Sequence, residues 1–502
     1  MNPAIDKVLS DPVEFVSRLR IKDKKGKYKT FGNVLTDEQI QIIQAITDPE
    51  IDRIAIVKAR QLGITTACRA ALFWETYTSN RSINSALCSN KLGSATELLK
   101  IDKRFLNNLP KPIRRTCAER VDRMVFPSTD STILAVSAQG DGHNRGFTFN
   151  HAHASEFAFY DHPEEFLASL IASTNDGKII LESTANHYGD ALHNIARTNH
   201  YDERWKVIFL PWTTFPQYSL KLPKGGIEWD AKELKLMEDF SLTPEQVYWR
   251  RRKIGEIKDE RLFRREFPLT IEEAYSLSEE NYFAEEHFQH LDIVEIGHSP
   301  IQVITERETS DVYVCGVDLA AGVGGDYSVA TVVSKLTSAP VAILSSNKMS
   351  IHDFTIATMN LAKRFDAQIV FENNHGGGQF QEILNNNSWR NWKSFTTTAK
   401  SKMMLYDCLR TYLEENLIAY LDQPTYAEMR NLVKDPKGLA PKHPPGSHDD
   451  RVISYALALY HLQSVSTPRT DYDKWIAQVK REQRTANKIN PLMRNHPLKR
   501  RR

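Results

Sequence analysis

The sequence has no paired cysteines. Cys68, Cys88, Cys117, Cys315 and Cys408 are scattered through 502 residues and never form a Cys-x-x-Cys step. An odd, dispersed set argues against a disulfide framework and against a structural zinc site, and it suits a reducing, cytosolic compartment. No apolar run approaches the ~18 residues of a membrane-spanning helix. The first residues interleave Asp6, Asp11, Glu14 and Arg18 with apolar positions, which is not the pattern of a secretory signal. No internal repeat is present. What remains is ordinary globular composition, 41% hydrophobic and 25% charged, which excludes a fibre or wholesale disorder. The length suggests about two to four domains.

Charge is unevenly placed. The chain carries a net +2, yet Lys474 to Arg502 holds ten basic residues against the single acid Glu482, leaving −7 for the residues before it. A basic arm on a slightly acidic body suits a polyanionic partner. A solvated arm that only aids solubility fits the composition equally well.

Short apolar runs punctuate the first two hundred residues: Ile54–Val57, Ile83–Leu87, Thr132–Val136, Phe147–Ala154 and Ile179–Leu181. Strands alternating with helical sequence predict a largely parallel α/β sheet. Pro211 and the stretch Pro216–Gly226 interrupt the pattern. From Ser241 to Ala274 the sequence turns helical and basic, with Thr243 and Pro244 as a helix entry. A second α/β pattern opens at Val312, with candidate strands at Val312–Asp318, Tyr327–Ser334, Val341–Ser345 and Gln368–Phe371. Helical runs follow at Ser401–Asn416 and Asp450–Leu462. Beyond Ser464 apolar content collapses, and a mobile tail is expected.

Phosphate-cradling loops join a buried strand to a helix, because backbone N–H groups and the helix N-terminus attract oxyanions. Lys58-Ala-Arg-Gln-Leu-Gly-Ile-Thr-Thr66 occupies such a place. Gly63 and Thr65 fit the end of the G-x-x-x-x-G-K-[ST] pattern, but Ile64 stands at the lysine position. By pattern alone an ordinary strand-to-helix turn fits better. Lys58, at the other end of the loop, could fold back over the β- and γ-phosphates, and Arg60 adds a second positive charge.

This loop resembles the deviant phosphate loop of large terminase subunits, the ATP-driven DNA-packaging motors of tailed phages and related viruses. There a lysine at the start of the loop replaces the missing one, and an R-Q-x-G-x-T-T core is common. The resemblance assigns Lys58, Arg60, Gln61, Gly63, Thr65 and Thr66 to ATP, with Thr65 on Mg²⁺. Leu35-Thr-Asp-Glu-Gln39 is similar to the adenine-contacting glutamine motif. His151-Ala-His-Ala-Ser-Glu156 resembles the Walker B strand, with Ser155 at the usual aspartate and Glu156 as the catalytic acid that orients the attacking water. Leu181-Glu-Ser-Thr-Ala-Asn186 resembles the coupling motif, with His187 where a glycine often follows. Arg145 is the candidate arginine finger across a ring interface and Arg60 its rival in cis.

The second half carries acids at element ends. Asp318 closes one candidate strand, Asp326 precedes the next, Glu372 ends another, and Asp449 and Asp450 open a helix. A single acid there is usually only a cap, worth about 1 kcal/mol. Several converging acids repel, by roughly 3 kcal/mol for two charges about 5 Å apart at an effective dielectric near 20. Divalent cations relieve that, and oxygen-only donors select Mg²⁺ or Mn²⁺. Two such metals suit in-line phosphodiester hydrolysis. The order of acids, with Gly-Ser-His-Asp-Asp450, resembles the RNase H-like nuclease half of terminases. Thr397, Thr398, Lys400 and Glu428 belong to that resemblance. Phe263-Arg-Arg-Glu-Phe-Pro268 and Glu273-Ala-Tyr275 resemble the bridge between halves.

The resemblance therefore implies an α/β chain of four parts: a P-loop-type, RecA/ASCE-like ATPase motor over residues 1–215, a linker subdomain over 216–300, an RNase H-like nuclease over 301–465 and a basic tail over 466–502. It implies ATP with Mg²⁺ at the motor and two Mg²⁺ or Mn²⁺ at the nuclease. It further implies double-stranded DNA, a portal protein and a small terminase subunit as partners, and a homo-oligomeric ring on the portal vertex of a procapsid in the bacterial host cytoplasm. A nucleic-acid helicase or remodeller with a fused or inactive RNase H-like domain is the alternative, and it leaves the second set of acids unexplained.

Overall fold

The computed structural model describes residues 3–23, 26–139, 147–174, 177–197, 204–276, 281–297, 299–320, 327–374, 376–435, 439–443 and 447–465. Arg145, Asp326 and the tail from 466 onward lie outside the described residues. Two compact units emerge. The first holds the described residues of Met1–Glu285, Ala427–Lys434 and Lys442–His448; the second holds those of Glu286–Tyr426, Asp435–Pro441 and Asp449–Arg502.

In the first unit, β1 (Arg20–Lys22) and β2 (Tyr28–Thr30) form a small antiparallel pair. The main sheet comprises β3 (Arg53–Lys58), β4 (Asn84–Ser89), β5 (Ala118–Glu119), β6 (Arg123–Phe126), β7 (Ser131–Ser137), β8 (His151–Ser155), β9 (Lys178–Ser183) and β10 (Lys206–Leu210). Their order is 10-3-9-8-4-7-6-5. Every pairing from β10 to β7 is parallel, and only the β7–β6–β5 edge is antiparallel. Parallel sheets need cover on both faces, and alternation along the strands supplies it. Ile54 and Ile56 enter a core with Ile43, Phe73, Phe105 and Trp212, whereas Ala55 and Val57 enter another with Phe157, Leu170 and Leu181.

Helix Ile64–Thr78 covers the first of those faces. The stretch after Pro216 builds on the same core: Tyr218, Trp249, Phe263 and Phe267 join it, with the Trp212 and Trp249 rings 4.8 Å apart. Thr243 caps helix Pro244–Ile257 through a reciprocal capping box with Gln246, and Pro244 stands in the first turn, as the sequence predicts.

The second unit pairs β11 (Asp292–Val294) with β18 (Tyr420–Asp422) in parallel. Its central sheet comprises β12 (Ile301–Val303), β13 (Tyr313–Asp318), β14 (Ser328–Ser334), β15 (Pro340–Ser346), β16 (Gln368–Glu372) and β17 (Trp392–Phe395), in the order 12-15-14-13-16-17. The β12 to β13 pairings are antiparallel, and β13–β16–β17 are parallel. Helix Asp450–Leu462 lies close on β13. Ser454 Oγ donates to Gly316 O at 2.9 Å and lies 2.8 Å from Thr331 Oγ1. A Cβ at Gly316 would meet Ser454 O at 2.1 Å, so only glycine admits the helix backbone here.

Candidate functional site

The carboxyl ends of parallel strands are where α/β sheets bind ligands. In the first unit, β3 ends at Lys58, β8 at Ser155 and β9 at Ser183, with β9 between the other two. Strand alternation places Lys58, Glu182, Ser155 and His153 on the face that helix Ile64–Thr78 covers. The result is one polar row beneath the loop.

Glu182 is its hub. Its side chain is fully buried; Oε1 accepts from Thr65 Oγ1 at 2.7 Å and from Ser155 Oγ at 2.7 Å, while Oε2 lies 3.1 Å from Lys58 Nζ. His153 Nε2 stands 3.6 Å away. Burial alone would push this carboxyl up, but Lys58, His153 and the Ser155 hydroxyl outweigh it and hold the group well below the usual range. Lys58 mirrors it: burial disfavours its charge, yet Glu182 and Glu156 raise it above the ordinary lysine value. Both shifts favour the charged forms. Lys58 therefore turns inward, with its side chain only 5% exposed.

Glu156 follows β8 in the left-handed region, at φ +54. A non-glycine residue held there signals a constrained turn, a strain of order 1 kcal/mol or more. The turn brings Oε1 to 3.0 Å from Lys58 Nζ. Oε2 accepts from Ser183 Oγ at 3.3 Å and from Thr184 N at 3.4 Å. Ser183 and Thr184 thus hold the candidate catalytic acid directly.

The other loop residues are placed as follows. Gly63, at φ +73, begins the helix, and a Cβ there would meet Gln39 Nε2 at 2.8 Å. Gln39 is buried; its amide donates to Leu62 O at 2.9 Å and accepts from Thr36 N at 3.2 Å, so what the structure shows it doing is positioning the loop. Gln61 also adopts φ +60. Thr66 follows Thr65 in the first helical turn. Arg60 reaches Glu266 Oε2 at 2.9 Å with 59% of its side chain exposed. Ile64, at the expected lysine position, is packed into the core.

The second cluster lies at the end of β13. Asp318 is held well above the usual carboxylate range by burial and by the negative charges of Asp450, Glu372 and Asp449. Glu372 ends β16 and accepts from Asn374 Nδ2 at 2.7 Å. Asp450 opens its helix and accepts from Tyr327 N at 3.0 Å. Asp449 accepts from Tyr406 Oη at 2.6 Å and lies 2.8 Å from Lys402 Nζ. Thr398 caps helix Ala399–Glu414, which carries Lys402 and Tyr406 one turn apart. The donors are all hard oxygens in mutual repulsion, which fits Mg²⁺ or Mn²⁺. Among the described residues, no three His, Cys, Asp or Glu side chains already form a metal cage.

Sequence reasoning missed Glu182, Lys402, Tyr406 and Asn374 as site residues. An acid inside the apolar run Ile179-Ile-Leu-Glu-Ser183 was the available signal for the first. For Lys402 and Tyr406 it was their spacing of four on a helix.

No family model matches the chain, and no curated protein matches it by sequence. Solved structures do match. The large terminase of bacteriophage HK97 covers 90% of this chain and 99% of its own, at 13% identity and a TM-score of 0.52. The large terminase of the thermophilic bacteriophage D6E in complex with ADP covers 84% of this chain and 98% of its own, at 13% identity and a TM-score of 0.35. The large terminase nuclease of the thermophilic phage G20c with bound magnesium covers 36% of this chain and 98% of its own, at 22% identity and a TM-score of 0.33. On the HK97 match, the chain has the α/β fold of a full-length large terminase.

Proposed function

We propose that this chain is the motor and nuclease subunit of a viral DNA-packaging machine. It would hydrolyse ATP to drive double-stranded DNA into a procapsid and cut concatemeric DNA with a metal-dependent site. The observation that carries this reading is the row of Lys58, Glu156, Glu182, Ser155 and Thr65 at the carboxyl edge of a parallel sheet. A second carboxylate group stands in a different unit of the same chain.

At the motor site, the Gly63 turn and the N-terminus of helix Ile64–Thr78 offer backbone N–H groups to phosphate. Lys58 supplies the cation against the β- and γ-phosphates. Glu156 accepts the proton of the attacking water, steadied by Ser183 and Thr184. Thr65 and the acids beneath it fit Mg²⁺, which when bound neutralises phosphate charge. Arg60, and Arg145 from a neighbouring copy, are the candidate fingers. In the nuclease, Asp318, Glu372, Asp450 and Asp449 would hold two Mg²⁺ or Mn²⁺ ions together with Asp326, and Lys402 and Tyr406 fix Asp449. Portal protein, a small subunit, a ring of like chains and the basic tail on DNA complete the proposal, set in the bacterial cytoplasm at the portal vertex.

Purified protein incubated with plasmid DNA, ATP and Mn²⁺ tests the reading. Cleavage that disappears in Asp318→Ala while ATP hydrolysis persists is expected. ATP-dependent strand separation without cleavage would favour a helicase instead.

A further inference from the structure

Phosphate-loop ATPases commonly hold their metal with the loop's Ser/Thr and an aspartate at the end of the Walker B strand. Here that position is Ser155, which carries no charge. We propose that the missing carboxylate has moved one strand over and is Glu182: the acid beside the nucleotide's Mg²⁺ comes from β9, not β8. The inference rests on the ATPase reading above and assigns a residue within it.

Register places Glu182 correctly. It is the Cα partner of Ser155 on β8 and of Ile56 on β3, so it stands on the middle strand of the three that form the site. Its Oε1 receives both the Thr65 and the Ser155 hydroxyls at 2.7 Å. Thr65 is the hydroxyl such a loop offers to Mg²⁺. Ser155 therefore occupies the old position but serves as a hydrogen-bond donor to the new one.

The charge inventory is kept. The ordinary arrangement has one lysine in the first helical turn and two acids ending the Walker B strand. This chain has Ile64 and Ser155 at two of those positions, and Lys58 and Glu182 on adjacent strands, 3.1 Å apart. The displaced lysine and the displaced acid are a matched pair. Each is buried, and each holds the other charged. Glu156, half-exposed, keeps its place for water.

A purely structural role, as the counter-ion of Lys58, is the competing account, and binding measurements separate the two. The Mg²⁺ dependence of fluorescent ADP binding is measured by titration for wild type, Glu182→Gln, Glu182→Asp, Ser155→Ala and the swap Ser155→Asp/Glu182→Gln. Folding is monitored by thermal denaturation. Glu182→Asp keeps the charge and the fold but withdraws the carboxylate by one methylene. Both single Glu182 variants are expected to need roughly 10–100-fold more Mg²⁺. Ser155→Ala removes one hydrogen bond to the carboxylate and no charge, so it should shift this less than either Glu182 variant, and the swap should recover most of the loss, by restoring a carboxylate close to Thr65. Folded Glu182 variants with wild-type Mg²⁺ dependence, or Ser155→Ala reproducing their loss, would overturn the assignment alone. Wild-type protein that binds no nucleotide would overturn the ATPase reading with it.

Discussion

Replacing Lys58 separates what it does for the fold from its proposed role at the phosphates. Its two partners differ sharply: Glu182 is fully buried, whereas Glu156 is 49% exposed. The exposed pair contributes little, so Glu182 sets the magnitude. Removing one partner of a buried ion pair costs about 3–5 kcal/mol, because the other charge is left uncompensated. Lys58→Met should therefore destabilise the first unit by about that much in urea titrations near pH 8. The loss must depend on pH. In wild type the depressed Glu182 gives stability that is present above its unfolded value and lost as pH falls through the folded one. In Lys58→Met the largest influence opposing burial is gone, leaving only His153 and the Ser155 hydroxyl, so Glu182 rises and stability is lost as pH rises. The gap between the two proteins should widen from pH 5 to pH 8. Lys58→Arg should keep the charge and most of the stability but lose more than about tenfold in ATP turnover, since a guanidinium fork does not replace a point charge. Wild-type stability and turnover in Lys58→Met would refute the reasoning.

Three further outcomes are expected. Asp318→Asn should abolish Mn²⁺-dependent plasmid cleavage and leave ATP hydrolysis at the wild-type rate, as measured on the same preparation. Gly316→Ala should force helix Asp450–Leu462 off β13, destabilising the second unit by about 1–3 kcal/mol and lowering cleavage without changing ATP turnover; an unaffected nuclease would contradict the close approach seen at Ser454. Glu75 is pushed up to about 7 by burial and His151, 3.3 Å away, is pushed down to about 4. Their effects on stability oppose each other at mildly acidic pH. Glu75→Gln should unmask stability that rises with pH from 4 to 6.5, and His151→Gln stability that falls from 4.5 to 7, each by roughly 3 kcal/mol. Denaturation midpoints across pH 4–8 read both.

Much of this was legible in the sequence because it is local. The runs at Ile54–Val57, Thr132–Val136 and Ile179–Leu181 are strands extended by one or two residues at either end. Thr243 and Pro244 are read from cap chemistry alone. Lys58 turns inward because it ends a buried strand, and Asp449 and Asp450 stand at a helix start where the sequence put them. What was not legible depends on distant pairing. Glu182 meets Thr65 across 117 positions, and nothing within its own run says which hydroxyl it faces. The edge strand β10 pairs with β3 from about 150 residues away. Asn431 clasps the backbone of Tyr188, donating to its carbonyl at 2.8 Å and accepting from its N–H at 3.1 Å, although it follows the whole second sheet in sequence. Ile64 looked like a substituted lysine; its side chain is part of the core, which a one-position comparison does not reveal.

A crystal structure of the protein with Mg²⁺ and a non-hydrolysable ATP analogue tests the central claim most directly. The account predicts phosphates cradled over the loop from Ala59 to Thr65, Lys58 Nζ drawn from Glu156 to the β- and γ-phosphates, and Glu182 beside the metal. A nucleotide bound elsewhere, or bound at this loop with Lys58 still paired to Glu156 and Glu182, would contradict it.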